Sequence, residues 1–449
     1  MSSAAEAERA GFRACFRCRP ELAPGGGAAG SGESASVDAV ARLVRSAASR
    51  IDAGYLNEAS VDDLAAELGV TSRHLRRSME AKLGVTPVEL AQTKRLALAK
   101  HLLQETPLPL AEVAFAAGFA SVRRFNALFQ ERFDRAPSEV RRAHGAPEHA
   151  VADGSLALRL DYRPPFAWDA LLSFLAGRAI PGVEQVTNGE YRRSVTIGER
   201  SGWLAVRADA KRNALRAQVS LSLAPVLTVV VNRLRALFDL DAHPTLIAEH
   251  LRRDPVLAPS IEAVPGLRVP GAFDGFEMAV RAILGQQVSV AAATTVSGRL
   301  AQRFGSPSGD ETTRLPSGIG WQFPSAARLA EATVDQVAAL GMPGARARTI
   351  LELSRAVARG DVTLSSEGEV DPDAIIEQLL ALPGIGPWTA HYVALRALRW
   401  PNAFPAGDLG VRKALGLSST RAVEERSTEW QPWRAYAVLH LWTSLSTGG

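Results

Sequence analysis

The chain has 449 residues, 47% of them hydrophobic, which excludes a disordered protein and implies two to four domains rather than one core. Lys and Arg number 51 against 47 Asp and Glu, a net charge of +4, so nucleic-acid contact has to come from local basic surfaces and not from overall charge. Two cysteines exclude a disulfide scaffold, no apolar run reaches the roughly 18 to 20 residues of a membrane span, and the start MSSAAEAERAGFR lacks a secretory signal's apolar core, so a soluble, cytoplasmic protein without a membrane partner is expected.

Residues 1–22 carry Cys15 and Cys18 in Cys-x-x-Cys spacing. A tetrahedral zinc site takes four ligands, and the first histidine is His74, so the two thiols fall short of one. Residues 23–36, with PGGGAAGSGESA, read as a flexible linker. Residues 37–145 have helical period and contain two similar units, 61–77 and 110–126. Each has a short apolar helix, a turn glycine (Gly69 or Gly118), a hydroxyl residue suited to capping, and an Arg-bearing second helix, which is helix-turn-helix punctuation. Ser72, Arg73, His74, Arg76 and Arg77 in one unit, and Arg123, Arg124 and Asn126 in the other, are candidates for base or phosphate contacts, since Arg suits guanine and Asn adenine in the major groove. Each alone equally suits a solvated surface.

A polar stretch, 144–155, separates this region from the next. Residues 155–240 contain alternating segments at 194–197, 203–206 and 215–221, which predict a small α+β domain with antiparallel strands. From about 226 the period is helical again, apart from a loop-like stretch at 306–320, and residues 241–449 are expected to form an all-α domain. The fold class expected is mainly α with one α+β domain.

Near the C-terminus, residues 382–390 read LPGIGPWTA and residues 404–408 read FPAGD. A tight Pro-Gly-x-Gly turn that opens a helix exposes unpaired backbone N–H groups to an anion such as phosphate, which makes Pro383, Gly384, Ile385, Gly386 and Thr389 candidate DNA contacts. Asp408 follows at the start of the next expected helix, and an acid beside an anion holder suits chemistry on a nucleic-acid backbone. Asp is also an ordinary N-cap, and the two roles are compatible. Trp388 and Tyr392 share one helix face, and Trp442 lies in a second aromatic-rich helix; core packing is the commoner fate of such rings.

Together with 276–290 (FEMAVRAILGQQVSV), 340–343 (LGMP) and 433–442 (WRAYAVLHLW), these segments resemble the helix-hairpin-helix, Gly-Pro, Asp superfamily of DNA glycosylases, and within it the AlkA-type 3-methyladenine DNA glycosylase II group. The resemblance spans roughly residues 155 to 445 and implies a base-flipping enzyme that releases 3-methyladenine and 7-methylguanine from double-stranded DNA. It places Asp408 as the catalytic carboxylate, able to stabilise oxocarbenium-like charge or orient a water, and Trp388, Tyr392 and Trp442 in the base pocket, where stacking on a cationic base is worth ~1 to 2 kcal/mol. Trp388 stands where strand-nicking relatives carry an attacking Lys, so hydrolysis without lyase chemistry is expected. No Cys follows Cys18, which excludes an iron–sulfur cluster, and no cofactor is required for catalysis. The carbonyls of Leu380, Leu382 and Ile385 would, by resemblance, hold a structural metal ion bridging to phosphate. Gln287 stands where the family pattern puts an apolar wedge, leaving Gln286 or Gln287 to plug the gap behind a flipped base, and Leu409 replaces an aromatic directly after the acid.

Residues 37–145, ending in FDRAPS at 133–138, resemble the AraC-type DNA-binding domain, which implies promoter DNA and RNA polymerase as partners. Residues 11–20 (GFRACFRCRP) resemble the second half of the zinc module of Ada-type alkylation-response regulators; the half carrying the other ligands is missing, through truncation or as a remnant. The expectation is an adaptive-response regulator fused to a glycosylase. The rival readings are a transcription regulator whose glycosylase half only binds damaged DNA, and a glycosylase that uses its helix-turn-helix half as a non-specific anchor with steep salt dependence.

Overall fold

A computed structural model describes residues 35–106, 108–144, 155–209, 211–308, 315–364 and 371–447. Cys15, Cys18 and the segment resembling a zinc module lie outside the described residues, as does most of the Gly/Ser linker.

The first body consists of α1 (Ala35–Asp52), α2 (Val61–Glu67), α3 (Ser72–Leu83), α4 (Pro87–Glu105), α5 (Leu110–Ala116), α6 (Val122–Phe133) and α7 (Pro137–His144). Ser60 and Thr86 form reciprocal capping boxes with Asp63 and Glu89, while Thr71 and Ser121 cap α3 and α6. α2–α3 and α5–α6 are the two helix-turn-helix units. Each second helix buries one stripe, Leu75 and Met79 or Phe125 and Phe129, and turns its Arg-bearing face outward. The second turn requires glycine: Gly118 has φ +85°, and a Cβ there would fall 2.4 Å from the Asn57 side chain, whose Oδ1 accepts from Arg95 Nε of α4 at 2.8 Å.

β1 (Ser155–Asp161), β2 (Glu184–Thr187), β3 (Glu190–Ile197), β4 (Arg200–Ala208) and β5 (Ala214–Ser220) form an antiparallel sheet in the order β1-β5-β4-β3-β2. The alternating segments of the sequence fall in β3, β4 and β5. α8 (Trp168–Ala176) buries Trp168, Leu171, Leu172 and Leu175. β1 is an edge strand, and an open edge is a template for unwanted pairing. α4 covers it: the backbone N–H of Arg159 donates to His101 Nε2 at 3.2 Å, and its guanidinium pairs with Glu105 at 3.5 Å. Phe119, Phe125, Phe129 and Phe133 belong to the same apolar core as Leu156, Leu158 and Leu160 of β1. The helix-turn-helix body and the sheet are thus packed as one unit.

The remainder is helical: α9 (Leu227–Leu237), α10 (Pro244–Leu251), α11 (Ala258–Ala263), α12 (Gly275–Leu284), α13 (Val290–Phe304), α14 (Ala326–Ala330), α15 (Val334–Ala338), α16 (Gly344–Arg359), α17 (Pro372–Leu380), α18 (Pro387–Arg396), α19 (Leu409–Leu415), α20 (Thr420–Arg426) and α21 (Arg434–Thr447). α12 is buried from Phe276 to Leu284 except at Arg281, as a helix wrapped by α13, α16 and α18 must be. Its buried Glu277 is tolerated because Arg193 of β3 lies 2.7 Å away and also faces Glu184 at 3.7 Å. Burial pushes the Glu277 carboxyl up to about 7 against the pull of Arg193. That ion cluster joins the sheet to the helical body.

Two outcomes follow from this packing. Phe129→Ala empties a fully buried site in the shared core and is expected to destabilise by roughly 3 to 5 kcal/mol, with the helical signal of the first body and the sheet melting together in thermal unfolding followed by circular dichroism. Separate melting of the two would refute the shared core. His440 is buried in α21, 3.0 Å from Ser260 Oγ, and burial lowers its pKa from 6.5 to about 4. The stability supplied by the neutral ring is complete above 6.5 and is lost as pH falls through 4, amounting to roughly 3 kcal/mol. Urea unfolding of His440→Gln across pH 7 to 4 should show a flatter dependence than wild type.

Candidate active site and nucleic-acid interface

Asp408 reaches its position through a turn in which its own N–H donates to Pro405 O at 2.8 Å, anchored by buried Phe404, which packs edge-on against Trp430. It is the N-cap of α19, with Oδ1 accepting from Val411 N at 2.9 Å. The same oxygen accepts from Trp442 Nε1 at 2.9 Å, and Oδ2 accepts from Trp388 Nε1 at 2.9 Å. The half-buried carboxylate is therefore held by three N–H donors from α18, α19 and α21, while Oδ2 keeps a lone pair unused. Capping and availability for chemistry coexist in one side chain.

The aromatic residues expected at the pocket are brought together around it. Trp388 and Tyr392 stack with centroids 5.3 Å apart and planes 7° from parallel, and Tyr392 meets Trp442 at 6.2 Å. Rings in direct contact leave no gap for a third, so a base has to stack on an outer face. Phe174 of α8 completes the wall, stacked on Trp442 at 6.3 Å. Sequence reasoning missed Phe174, which lies in an apolar helix of the sheet domain and carries no local mark of a site. It also missed Arg396, buried behind the wall, whose Nη1 donates to Tyr392 Oη at 2.9 Å and whose other nitrogens donate to the carbonyls of Pro270 and Gly271. Burial pushes the Tyr392 phenol up, but Arg396, Arg178 and Arg281 together outweigh it and hold the group below its ordinary value.

The hairpin joins α17 to α18. Gly384 has φ +88°, and a Cβ there would fall 2.0 Å from Thr349 Oγ1 of α16, so the close approach requires glycine. Ile385 points its side chain into the core and donates its N–H to Leu382 O at 3.2 Å, which withdraws that N–H from any phosphate. The N-cap, Gly386, supplies no side-chain cap and Pro387 occupies the first turn, leaving the N–H groups at the start of α18 for an anion. Thr389 is buried, and its hydroxyl accepts from Gln286 Nε2 at 2.9 Å. Gln286 also donates to Gly384 O at 3.0 Å, while its own carbonyl accepts from Arg346 at 2.5 Å. These bonds hold the Gln286 side chain against the hairpin. Gln287 is exposed, in the left-handed region at φ +55°. Of the three carbonyls expected to hold a metal, that of Leu382 is shared with Ile385 N–H, and among the described residues no turn or loop N–H donates to those of Leu380 or Ile385. Oxygen donors with spare lone pairs suit a hard cation.

In the first body, Arg73, His74, Arg76, Arg77, Arg123, Arg124 and Asn126 are exposed and Ser72 is half-buried. Among the described residues none of these arginines has an acidic partner, as a phosphate-binding surface requires.

Three family models match in succession: a helix-turn-helix domain over residues 64–143, the AlkA N-terminal domain over 157–274, and the HhH-GPD superfamily base excision DNA repair protein over 280–430. The chain is 41% identical over 452 aligned residues to a probable bifunctional transcriptional activator/DNA repair enzyme AlkA of Mycobacterium tuberculosis, covering 99% of this chain and 87% of the relative. It is 36% identical to DNA-3-methyladenine glycosylase 2 of Escherichia coli, over 63% of this chain and 95% of that protein. The solved 3-methyladenine DNA-glycosylase of Archaeoglobus fulgidus shares the fold, with a TM-score of 0.56 at 21% identity over 64% of this chain and 98% of that one. The chain belongs to the family of bifunctional AlkA proteins, in which an AraC-type helix-turn-helix body precedes a DNA glycosylase of the helix-hairpin-helix superfamily.

Proposed function

We propose that the C-terminal body is a monofunctional hydrolase that releases alkylated purines, 3-methyladenine and 7-methylguanine, from duplex DNA, with Asp408 as its catalytic carboxylate. The observation that carries this reading is the carboxylate held by Trp388, Trp442 and Val411 N–H groups at an aromatic wall, beside an uncapped helix start. Extrusion of a damaged base takes a few kcal/mol. As the bond from sugar C1′ to the base nitrogen breaks, its electron pair leaves with the base and positive charge builds on the sugar. The fixed carboxylate offsets that charge, water adds at C1′, and its proton passes to Asp408 or to solvent, leaving an abasic site. Trp388, where an amine would be needed for strand cleavage, supports hydrolysis alone.

The faces of Trp388 and Trp442 suit a cationic base, and the α18 N–H groups suit the flanking phosphate. The carbonyls of Leu380, Leu382 and Ile385 would hold a hard cation, which would supply positive charge for a phosphate there. The first body reads promoter DNA through its two Arg-bearing helices, with RNA polymerase as partner.

Asp408→Asn keeps an N-cap for Val411 N–H but turns an amide N–H2 toward an indole N–H, so it should lose about 1 to 3 kcal/mol of stability while remaining folded. Base release from methylated DNA should fall by about 100- to 1000-fold or more. If wild type and variant are both silent while a promoter fragment is still bound, the damage-binding regulator reading replaces this one. Trp442→Phe keeps a ring against Phe174 but removes one N–H from the carboxylate, a bond worth about 1.5 to 3 kcal/mol, so kcat should drop about 10- to 100-fold in single-turnover assays. An unchanged kcat would show that the indole N–H does not tune the acid.

A further inference from the structure

The two helix-turn-helix units are held in different ways. Leu64, Leu75, Met79 and Val85 belong to an apolar core of the first unit, separate from the core that Phe119, Phe125 and Phe129 of the second share with the sheet. α4 runs from one to the other, with Leu90 and Ala91 in the first core and Leu96, Ala99 and Leu102 in the second. A single helix between two cores is a pivot, because helices bend, and a contact standing off its axis removes that freedom.

Residues 52–57, at the end of α1 and the turn after it, supply such a contact. Asn57 Oδ1 accepts from Arg95 Nε of α4 at 2.8 Å, and Arg95 also donates to Leu56 O. The Asn57 side chain lies against the turn of the second unit, where a Cβ on Gly118 would fall 2.4 Å from it. The matching turn of the first unit stands clear: a Cβ on Gly69 would meet nothing within 4 Å. Tyr55 ties the segment back to the first unit, its hydroxyl donating to Glu67 of α2 at 2.6 Å. The same segment rests on α9 of the glycosylase half, where Asn232 donates to Asp52 O and a Cβ on Gly54 would lie 3.2 Å from Thr228 Cγ2. Burial and then the nearby Arg124 guanidinium lower the pKa of Arg95, so the brace reaches the edge of the DNA-facing surface of α6.

We infer that the glycosylase half is a structural part of the promoter reader: α9, through Asn232 and residues 52–57, fixes α3 against α6 and so sets the spacing of the two duplex sites that the chain accepts. Asn57 and Asn232 are positioning residues, and the contacts to bases and phosphates belong to the two Arg-bearing helices. The inference rests on the promoter reading above. Spacing is the sensitive quantity, since one inserted base pair moves a site by about 3.4 Å and turns it by about 35° around the duplex axis. A braced pair of helices cannot follow that displacement without breaking packed contacts.

The test lets the full-length protein select its binding sequence from a random duplex library, and footprinting then locates the two contacted sites. Affinity is measured on the selected duplex and on versions with one or two base pairs inserted between the sites. Wild type should lose about tenfold or more on insertion. Asn232→Ala and Asn57→Ala should reduce that loss to about threefold or less. Asn57→Asp keeps the acceptor for Arg95 and should stay within about twofold of the wild-type ratio. A variant that is merely less stable binds every spacing less well by one factor, which leaves the ratio where it was. Base release from methylated DNA should be unchanged by Asn232→Ala, which lies outside the catalytic wall. A wild type indifferent to insertion, or a ratio that Asn232→Ala does not alter, overturns the inference and leaves the promoter reading standing. Selection that recovers no paired sites overturns the promoter reading, and the inference with it.

Discussion

A carboxylate set among aromatic rings keeps one orientation only if its charge is met by fixed donors, and the C-terminal body is arranged around that requirement. Two of the donors to Asp408 are indole N–H groups from different helices, and the third is a backbone N–H of the helix that Asp408 begins. Trp388 is the second residue of α18, so the helix start whose N–H groups are open to an anion also supplies a donor to the acid. A displacement of the hairpin would therefore move the anion site and the carboxylate together. Gly410 shows how closely the elements meet: a Cβ there would lie 3.1 Å from both the Trp442 ring and the Asp408 carboxylate. Gln286, in the loop after α12, extends the constraint by bonding the hairpin through Gly384 O and Thr389 Oγ1.

Behind the wall, charge is handled differently. Arg396 is buried, and its guanidinium is satisfied by two carbonyls and the Tyr392 hydroxyl rather than by a carboxylate. Burial lowers its pKa, yet with those acceptors in place the group remains a donor. Arg178 and Arg396 also lie over the Phe174 ring, at 3.7 and 4.9 Å. The face of Phe174 is thus already engaged by cations, which leaves the indole faces as the electron-rich surface for a cationic base. The wall has a structural side and a free side.

The sequence made legible whatever depends on neighbours along the chain. Caps at Ser60, Thr71, Thr86 and Ser121 mark helix starts because the bond from the side chain to the third following N–H is local. The Pro-Gly-x-Gly turn, the acid after it and the Trp388–Tyr392 pair are local for the same reason. Phe174, Arg396 and the bracing role of Gln286 depend on contacts between distant segments, and no period or spacing encodes them. Gln286 and Gln287 look interchangeable as letters; a left-handed backbone at Gln287 sends one side chain to solvent and leaves the other on the hairpin. The cover over β1 was equally hidden, since an edge strand's partner can come from any other part of the chain.

That cover changes what a fusion of two DNA-binding functions means here. Two modules on a flexible tether would search independently, at an effective concentration set by linker length. In this chain the second helix-turn-helix unit shares its core with the sheet. The end of α1 and the turn after it are tied to α9 as well, where Asn232 donates to Asp52 O and Gly54 lies against Thr228. A joint of packed apolar side chains bends little, because interiors are close-packed and resist deformation. The two DNA-facing surfaces therefore hold a fixed offset, and a duplex can engage both only if its path suits that offset. Any strain in doing so falls on the DNA, where bending a site of 20 to 30 base pairs takes of order 1 to 6 kcal/mol. A duplex that engages both surfaces of one molecule therefore has to follow the path that the packed joint sets.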